Sequence, residues 1–239
     1  MISPEKPDPG FIQRMFDGLA PRYDLFNHLT SMGMAGRWRR EALAPVQKGM
    51  RVLDLGCGTG DLALEAIQKM GPGAGEVVGL DFSNRMLEVA RRRYEKRGYN
   101  GHRNFRLVQK KAEDLPFEEA PYDLVVSGFV LRNLYENIDR ILLGVRRSLK
   151  EGGAIRFLDI TEPENGAARF IWKFYMRTLA ALYGKVLFGD GYPSSYLTDS
   201  AARFPRAGAF VKKLEEAGFK HVRSRAFMLG SVTLYEAEK

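Results

Sequence analysis

The sequence predicts an α/β fold built on a mostly parallel sheet of seven strands with helices on both faces. Three observations carry this prediction: strand-like and helix-like segments alternate from residue 51 to residue 160, a glycine-rich turn follows the first strand, and two short strands end the chain. Alternation of this kind produces parallel strands, because each helix returns the chain to the same end of the sheet. Ligands of such sheets bind at the carboxyl ends of the strands.

The individual elements follow from apolar runs bounded by glycine, proline and polar residues. The strands of the alternating region are predicted at 51–55, 76–80, 104–109, 122–127 and 154–160. The helices between them are predicted at 61–70, 84–97 and 137–149. The last of these helices is expected to end at Glu151-Gly152-Gly153, because glycine commonly terminates helices. A helix at 206–217 then precedes an antiparallel hairpin of strands at 220–226 and 230–237.

Residues 11–45 precede the first strand and are predicted to be helical, with a break at Pro21. Their apolar side chains recur at helical spacing: Phe11, Met15, Phe16, Leu19, Tyr23, Phe26 and Leu29. Two interpretations stay open, a helical cap on the sheet and a lid that covers a ligand and lines a substrate pocket. Residues 1–10 are rich in proline and polar residues and are predicted to be a disordered lead-in.

A second helical segment is predicted within residues 166–205, where it interrupts the alternation and is expected to lie over the active site. Large aromatic residues such as Phe170 and Trp172 are interleaved there with Arg169 and Lys173. This pattern is typical of a helix at a membrane interface. It is equally typical of a helix that packs on the domain and keeps its basic side in water.

Composition and charge indicate a globular protein and the kind of partner that it favours. A chain of 239 residues, with 45% hydrophobic and 28% charged residues, predicts a single globular domain over residues 1–239. The net charge of +8 favours anionic partners, either nucleic acid or acidic lipid. The run Arg91-Arg92-Arg93 is interpreted as a solvated helix face. The single cysteine, Cys57, and three scattered histidines predict no disulfide and no metal site, and the lack of a signal-peptide pattern predicts a cytoplasmic protein.

The turn after the first strand has the sequence Asp54-Leu55-Gly56-Cys57-Gly58-Thr59-Gly60. Three glycines at alternate positions allow positive φ angles and a close approach of the backbone to a ligand. The next helix begins near Asp61 and directs its unpaired N–H groups at this turn, which suits an anionic group. Asp81 ends the second strand, where a carboxylate can accept hydrogen bonds from two ribose hydroxyls. The glycine spacing differs from the dinucleotide pattern G-x-G-x-x-G, and the combination predicts a ligand site.

This acid-x-G-x-G-x-G pattern resembles motif I of the class I S-adenosylmethionine (SAM) methyltransferases. Other segments resemble the ubiquinone/menaquinone C-methyltransferase family: Tyr23-Asp24-x-x-Asn27, Gly79-Leu80-Asp81-Phe82-Ser83, Leu131-Arg132-Asn133 and Ser200-x-x-x-Phe204-Pro205. The resemblance extends from about residue 11 to the C-terminus. It implies a Rossmann-like class I methyltransferase fold with an N-terminal helical lid, and transfer of a methyl group from SAM to a ring carbon of a demethylated polyprenyl quinol.

The resemblance also implies SAM as the cofactor and S-adenosylhomocysteine (SAH) as the product. The implied cofactor-binding residues follow four of the strands: Asp54, Gly56, Gly58, Thr59, Gly60, Asp81, Phe82, Lys111, Ala112 and Gly128. The glycine loop and Thr59 would hold the methionine part of SAM, Asp81 the ribose, and Phe82 the adenine. Two positions depart from the family pattern, since Lys111 stands where many members have Asn or Asp, and Val130 replaces a glycine.

Methyl transfer to carbon requires an aligned nucleophile and the exclusion of water. Loss of the quinol hydroxyl proton increases the electron density at the ring carbon, so a general base or a cation that stabilises the phenolate would assist. Arg132 is the first candidate, either as the phenolate stabiliser or as the organiser of a water that takes the proton. Tyr23 and Asn27 are the next candidates, and the identity of the general base stays open.

The expected partners are a polyprenyl quinol and, through the insert, the inner face of an anionic membrane. No nucleic acid is expected, because the chain has neither a base-flipping signature nor a Pro-Cys turn. The sequence leaves open whether the quinol is a naphthoquinol or a benzoquinol, and whether the protein is a homodimer. Two alternatives to the quinol reaction are SAM-dependent methylation of another small molecule and a non-catalytic module that binds SAM or a quinone.

Overall fold

A seven-stranded sheet forms the centre of the protein. The structure is a computed structural model that describes residues 17–19, 22–73, 75–99, 104–116, 121–189 and 196–239. The strands are β1 (Arg51–Leu55), β2 (Glu76–Asp81), β3 (Phe105–Gln109), β4 (Tyr122–Gly128), β5 (Leu149–Ile160), β6 (Lys220–Phe227) and β7 (Val232–Glu238). They lie in the order β3-β2-β1-β4-β5-β7-β6. The first five strands pair in parallel, whereas β7 pairs antiparallel with β5 and β6.

The strand order reverses between β1 and β4. From β1 the chain moves outward to β2 and β3, and it then crosses back to β4 on the other side of β1. The loops after β1 and β4 therefore lead to opposite sides and leave a crevice at the carboxyl ends of these two strands. The glycine-rich turn lies at this switch point, which is where a ligand is expected.

The helices cover both faces of the sheet. They are α1 (Tyr23–Thr30), α2 (Ala35–Ala42), α3 (Asp61–Met70), α4 (Asn84–Lys96), α5 (Ile138–Ser148), α6 (Gly166–Tyr175), α7 (Ala181–Phe188), α8 (Tyr196–Arg203) and α9 (Ala207–Glu216). Successive side chains of a strand point to opposite faces. Leu53 and Leu55 of β1 thus pack in one buried cluster with α5 and α9, whereas Val52 packs in a second cluster with α2 and α3. Because both faces are covered at the centre of the sheet, β1, β2 and β4 are mostly buried, whereas the edge strand β6 is mostly exposed.

The predicted fold class is confirmed: the sheet is mostly parallel, helices surround it, and β6 and β7 form the closing antiparallel hairpin. β1 and α3 have the predicted bounds. The division of the chain into a lead-in, a lid and an insert stays a prediction. The proposed lead-in, residues 1–10, lies outside the described residues.

The predicted helix stop at Glu151-Gly152-Gly153 is wrong. α5 ends at Ser148, and β5 begins at Leu149, well before the predicted start at residue 154. The physical reason is burial, since the side chain of Leu149 is 1% exposed and its backbone is paired with Tyr122 of β4. The register then shifts between Tyr122 and Leu124, and the φ angle of +73° at Gly152 accommodates this irregularity.

The insert is a helix that runs from α6 through a π-helical turn, Met176–Ala180, into α7. It starts at Asn165, whose side chain accepts hydrogen bonds from the N–H groups of Ala167 and Ala168. On its inner side Trp172 and Met176 are buried against Phe26 of α1. Within the part of the chain that the structure describes, no helix is both long enough and apolar enough to cross a membrane.

Candidate active site

The glycine loop after β1 has the left-handed backbone that its sequence predicts. The φ angles of Gly56, Gly58 and Gly60 are +68°, +53° and +84°. A Cβ added to Gly56 would lie 2.6 Å from Cγ1 of Val130, and one added to Gly60 would lie 3.0 Å from Cβ of Ala90. A Cβ added to Gly58, in contrast, would meet nothing within 4 Å among the described residues. Gly58 therefore lines open space into which a ligand can fit against bare backbone.

Asp54 is buried below this loop at the end of β1. Its carboxylate is 1% exposed, and its Oδ2 accepts a hydrogen bond of 2.9 Å from the N–H of Ala63 in the first turn of α3. Its Oδ1 has no hydrogen-bond partner among the described residues. Burial raises the pKa of Asp54 to about 8, with a further contribution from the nearby Asp81. A buried carboxylate oxygen without a hydrogen-bond partner suits a ligand that supplies an ammonium group.

Asp81 stands at the carboxyl end of β2, beside the glycine loop. Its Oδ2 accepts a hydrogen bond of 2.8 Å from the N–H of Gly58, and its Oδ1 accepts one of 2.9 Å from the N–H of Ser83. Burial raises the pKa of Asp81, and these N–H groups counteract that rise. Each carboxylate oxygen retains acceptor capacity for a hydroxyl group, so this geometry suits a ribose.

The remaining predicted cofactor residues border the same edge of the sheet. Phe82 follows Asp81 and is partly exposed, and its carbonyl accepts a hydrogen bond of 3.3 Å from Nε2 of Gln109 at the end of β3. Ala112 is buried just beyond β3. Lys111 is exposed, and its backbone N–H donates to Asp114. Gly128 ends β4, where an added Cβ would lie 2.9 Å from Leu62.

The donor side thus fits SAM on three observations. Gly58 lines a space beside bare backbone, Oδ1 of Asp54 offers a buried acceptor for the ammonium group of the methionine part, and Asp81 is fixed by backbone N–H groups where a ribose would bind. No group of histidine, cysteine, aspartate and glutamate residues in the described ranges could hold a metal ion.

An apolar pocket, which we call the acceptor pocket, lies between α1, α2, the insert and the adjacent ends of β5 and β7. Its walls come from these elements and from the turn after β4: Leu19, Phe26, Asn27, Thr30, Ser31, Ala35, Trp38, Phe129, Arg132, Ile160, Trp172, Tyr175, Met176, Met228, Ser231 and Val232. Asn27 and Arg132 are among the few polar groups in these walls. A flat aromatic molecule with polar oxygens is the kind of ligand that such a lining suits.

Arg132 is held in the pocket wall by a buried carboxylate. Its Nη1 lies 2.8 Å from Oδ1 of Asp159, and its backbone N–H donates to Oδ2 of the same residue at 3.1 Å. The side chains of Arg132 and Asp159 are 3% and 0% exposed. The same Nη1 also donates to the carbonyl of Phe129. These contacts fix the guanidinium, so this is a buried ion pair and not a surface one.

Phe129 adopts a strained backbone at the edge of both sites. Its φ angle is +63°, which is rare for a residue with a Cβ, and its N–H donates to the carbonyl of Leu158 at 2.7 Å. Its ring lies 6.5 Å from that of Trp38 between centroids. Strain of this kind persists where neighbouring groups enforce it, and it is enriched at functional sites. The turn that carries Arg132 is therefore shaped by the ends of β4 and β5.

The structure brings the predicted residues together in two groups. Asp54, the glycines and Asp81 form the donor side, and Asn27 and Arg132 line the acceptor pocket. Tyr23 begins α1, but its side chain lies outside the described part of the structure. The roles of all these residues stay predictions.

Sequence reasoning missed two functional candidates. Asp159 is the penultimate residue of β5, and Asp81 is the last residue of β2, so an acid near the carboxyl end of a strand is the signal that could have found it. The interpretation of Arg91-Arg92-Arg93 as a solvated face is wrong for its last residue. Arg91 and Arg92 are exposed, whereas Arg93 is partly buried and pairs with Asp24 and Asp61. A triplet of arginines gives no local signal of which member is paired.

The fold and the donor side define a class I SAM-dependent methyltransferase. The model of the ubiE/COQ5 methyltransferase family matches residues 5–239, and the chain belongs to this family. Among solved structures it is similar to a SAM-dependent methyltransferase from Aquifex aeolicus, with a TM-score of 0.59, 20% identity, and coverage of 98% of this chain and 99% of that one. That likeness supports the fold.

Two curated relatives match nearly their whole length. A protein named demethylmenaquinone methyltransferase from Geobacillus kaustophilus is 33% identical over 226 residues, which is 94% of each chain. A protein named ubiquinone/menaquinone biosynthesis C-methyltransferase UbiE from Geotalea daltonii is 33% identical over 230 residues, which is 95% of this chain and 96% of the relative. The first name describes a methyltransferase for demethylmenaquinone, and the second describes a C-methyltransferase of ubiquinone/menaquinone biosynthesis.

Proposed function

We propose that this protein transfers a methyl group from SAM to a ring carbon of a demethylated polyprenyl quinol. The observation that carries the proposal is Arg132, a fixed and buried cation in the wall of a mostly apolar pocket. The names of the relatives support a quinone-type substrate. The pocket lining suits a naphthoquinol and a benzoquinol alike.

On the donor side, the chain supplies binding and orientation. When bound, SAM supplies a methyl group on a positively charged sulfur, which is already reactive toward a nucleophile. Asp54 would accept a hydrogen bond from the methionine ammonium, and the first N–H groups of α3 would face its carboxylate. Asp81 would hold the ribose, and Phe82 would lie against the adenine. The chain thereby fixes the position of the methyl group.

On the acceptor side, Arg132 would stabilise the negative charge that develops on the quinol oxygen. A guanidinium in a pocket with little water interacts more strongly with an anion than it would in bulk water. Asp159 partly neutralises Arg132 and fixes the orientation of its guanidinium. The apolar walls, among them Trp172 and Ile160, would exclude water that could compete with the ring carbon.

Asn27 and Tyr23 would position the ring from the lid side. The side chain of Asn27 lines the acceptor pocket and offers an amide that can donate to or accept from a quinol oxygen. Tyr23 begins the same helix, one turn earlier. The proton of the quinol hydroxyl would leave through a water that Arg132 and these groups organise. We expect an Asn27→Ala variant to raise the KM for the quinol more than it lowers kcat.

The test is methyl transfer from labelled SAM to reduced demethylmenaquinol and, separately, to a demethylated benzoquinol. Arg132→Lys keeps the charge but loses the fork geometry, and we expect it to lower kcat by about 10²-fold while SAH binding is kept. Arg140→Lys, an exposed arginine on α5, is the matched control and should behave as wild type. Tight SAH binding without turnover of either quinol would refute the proposed reaction and favour another acceptor or a binding module.

We also propose peripheral contact with an anionic membrane through the outer face of the insert. Large apolar side chains are exposed along this face: Phe170, Ile171, Phe174, Leu179, Leu182 and Val186. Arg177 and Lys185 are exposed among them, and the chain carries a net charge of +8. An amphipathic helix with basic residues is suited to an anionic lipid surface. The quinol is itself a lipid, so this surface would place the acceptor pocket near its substrate.

Cosedimentation with vesicles that contain phosphatidylglycerol tests this contact. Phe174→Glu should lower the bound fraction severalfold, whereas Leu143→Glu, at a similarly exposed apolar residue of α5, should not. A homodimer is the competing use of the same face. If sedimentation velocity shows a wild-type dimer that Phe174→Glu converts to a monomer, the face is a subunit interface and the membrane proposal is wrong.

A further inference from the structure

A cluster of charged and polar groups joins the lid to the glycine loop, and Thr59 is its only member that the SAM site described above includes. The cluster contains Asp24 of α1, Thr59 of the glycine loop, Asp61 at the start of α3, Arg93 of α4 and Arg39 of α2. Its five members come from four separate parts of the chain, since Thr59 and Asp61 belong to the same turn. We call it the latch cluster.

Arg93 holds three of the other members at once. Its Nη1 lies 2.9 Å from Oδ2 of Asp24 and donates to the carbonyl of Thr59 at 3.0 Å. Its Nη2 lies 2.7 Å from Oδ1 of Asp61. The planar fork of a guanidinium can make these contacts simultaneously, which an ammonium cannot. Arg39 adds a second cation, 2.8 Å from the other oxygen of Asp61.

Thr59 connects the lid directly to the loop that would hold the cofactor. It is 2% exposed, and its hydroxyl donates to Oδ1 of Asp24 at 2.7 Å. A second contact repeats this arrangement at the neighbouring loop, where the hydroxyl of Ser83 donates to Asp17 at 2.5 Å. The backbone N–H of Ser83 meanwhile donates to Asp81, the proposed ribose ligand. Both loops on the donor side are thus bonded to the lid.

The same lid helix forms part of the acceptor pocket. Asp24 lies less than one turn before Phe26 and Asn27, and both of these residues line that pocket. A shift of α1 that breaks the contacts of Asp24 would therefore also displace Asn27. Burial and the neighbouring Asp61 raise the pKa of Asp24, while Arg93 and Arg39 counteract that rise. The positive charges of Arg93 and Arg39 offset the repulsion between the neighbouring carboxylates of Asp24 and Asp61.

We propose that Asp24 and Arg93 are positioning residues that latch the lid onto the glycine loop, so that occupancy of the donor side and order of the acceptor pocket are coupled. The proposal rests on the placement of SAM given above. The contacts that form the latch are all between residues of the protein itself. Coupling between two sites is reciprocal, so a quinol analogue should tighten SAH binding by the same factor by which SAH tightens the analogue.

The first test measures amide hydrogen exchange over residues 22–43 with and without SAH. In the wild type, SAH should slow exchange both in the glycine loop and in this lid segment. In Arg93→Gln it should slow exchange in the loop alone. Arg92→Gln removes the same charge from an exposed position of the same helix and should match the wild type. Protection of the lid by SAH that persists in Arg93→Gln would overturn the proposal.

A second variant guards against a folding defect. Asp24→Asn keeps an oxygen that can accept from Thr59 but loses the ion pair with Arg93. We expect it to retain the native thermal unfolding transition and to lose most of the mutual tightening between SAH and a quinol analogue, a factor of about five or more in the wild type. Equal tightening in this variant and in the wild type would contradict the latch.

The outcomes also separate the latch from the proposed reaction. If SAH protects the lid in an Arg93-dependent way but neither quinol is methylated, the latch stands and the quinol assignment fails. If the wild type methylates a quinol but SAH leaves exchange in the lid unchanged, the reaction stands and the latch fails. If SAH does not bind the wild type, both the placement of the cofactor and the latch are wrong.

Discussion

At the scale of single residues, Asp54 is a carboxylate whose pKa is raised into the neutral range. Its pKa is about 8 in the folded protein because it is buried, against an ordinary value of 3.8. Between these two values the folded state keeps a proton that the unfolded chain has released. The contribution of Asp54 to stability therefore becomes less favourable as the pH rises from about 4 to about 8, and it is constant above that window.

Asp54→Asn removes the titratable group, so a comparison with the wild type isolates the contribution of Asp54 to the pH dependence of stability. The free energy of unfolding of the variant, relative to the wild type, should increase with pH between about 4 and about 8. Denaturant unfolding of both proteins at several pH values measures this difference. A difference that is flat or falls with pH would show that Asp54 is ionised in the folded protein.

The same residue predicts a pH dependence of cofactor binding. An ammonium group against Oδ1 would favour the ionised carboxylate, so binding should release a proton near pH 7. SAH affinity should accordingly rise between pH 6 and pH 8. Calorimetric titration in two buffers of different ionisation enthalpy detects the released proton, which should be absent in Asp54→Asn. Equal binding enthalpies in the two buffers for the wild type would contradict the placement of the methionine part.

Asp159 provides a prediction about a buried ion pair. Asp159→Asn keeps the shape of the side chain but leaves Arg132 without its compensating charge, which costs about 3–5 kcal/mol of unfolding free energy when such a pair is broken. Denaturant unfolding measures this loss. The control is Glu88→Gln, since the exposed pair of Arg85 and Glu88 should be worth less than about 1 kcal/mol. Comparable small losses in both variants would show that Arg132 is solvated.

At the scale of elements, the turn between β1 and α3 contains Gly58, where an added Cβ would meet no atom of the described residues within 4 Å. Gly58→Ala should therefore lower stability by only about 1 kcal/mol, the cost of a left-handed backbone for alanine. It should weaken SAH binding much more strongly, since the Cβ would occupy the space of the ligand. Gly98→Ala, with a φ of +69° and equally open space at the end of α4, is the control. Unchanged SAH affinity in Gly58→Ala would place the ligand elsewhere.

The elements show how far a single sequence can predict this fold. β1, α3 and the glycine turn depend on short-range signals, namely apolar periodicity and backbone freedom, and they were predicted with correct bounds. The start of β5 depends on a partner in another strand, since Leu149 pairs with Tyr122, and no local pattern contains that contact. The π-helical turn in the insert was likewise absent from the prediction, because it is set by packing against α1.

The candidate site divides in the same way. Asp54 and Asp81 could be predicted, because an acid at the end of an apolar strand is a local signal. The pairing of Arg132 with Asp159 and of Arg93 with Asp24 could not be predicted, because the partners are 27 and 69 positions apart in the sequence and meet only in the folded chain. A single sequence therefore indicates where the acids of the donor side lie, whereas the contacts between the lid and that side depend on the folded chain.

At the scale of the whole molecule, the lid, the sheet and the insert should unfold together. The latch cluster bonds α1 and α2 to α3 and α4, and buried residues of the insert pack against α1, so no part of the described chain is isolated. SAH binds only the folded state in this view, and at 100 times its dissociation constant it should add about 2.7 kcal/mol to the free energy of unfolding. For a chain of this size the melting temperature should rise by about 5–10 °C.

Differential scanning calorimetry should show one transition that shifts as a unit, and none of the shift should appear in Asp81→Ala. Two transitions, of which only the upper one responds to SAH, would show that the lid folds independently of the sheet and would contradict the single domain predicted from the sequence.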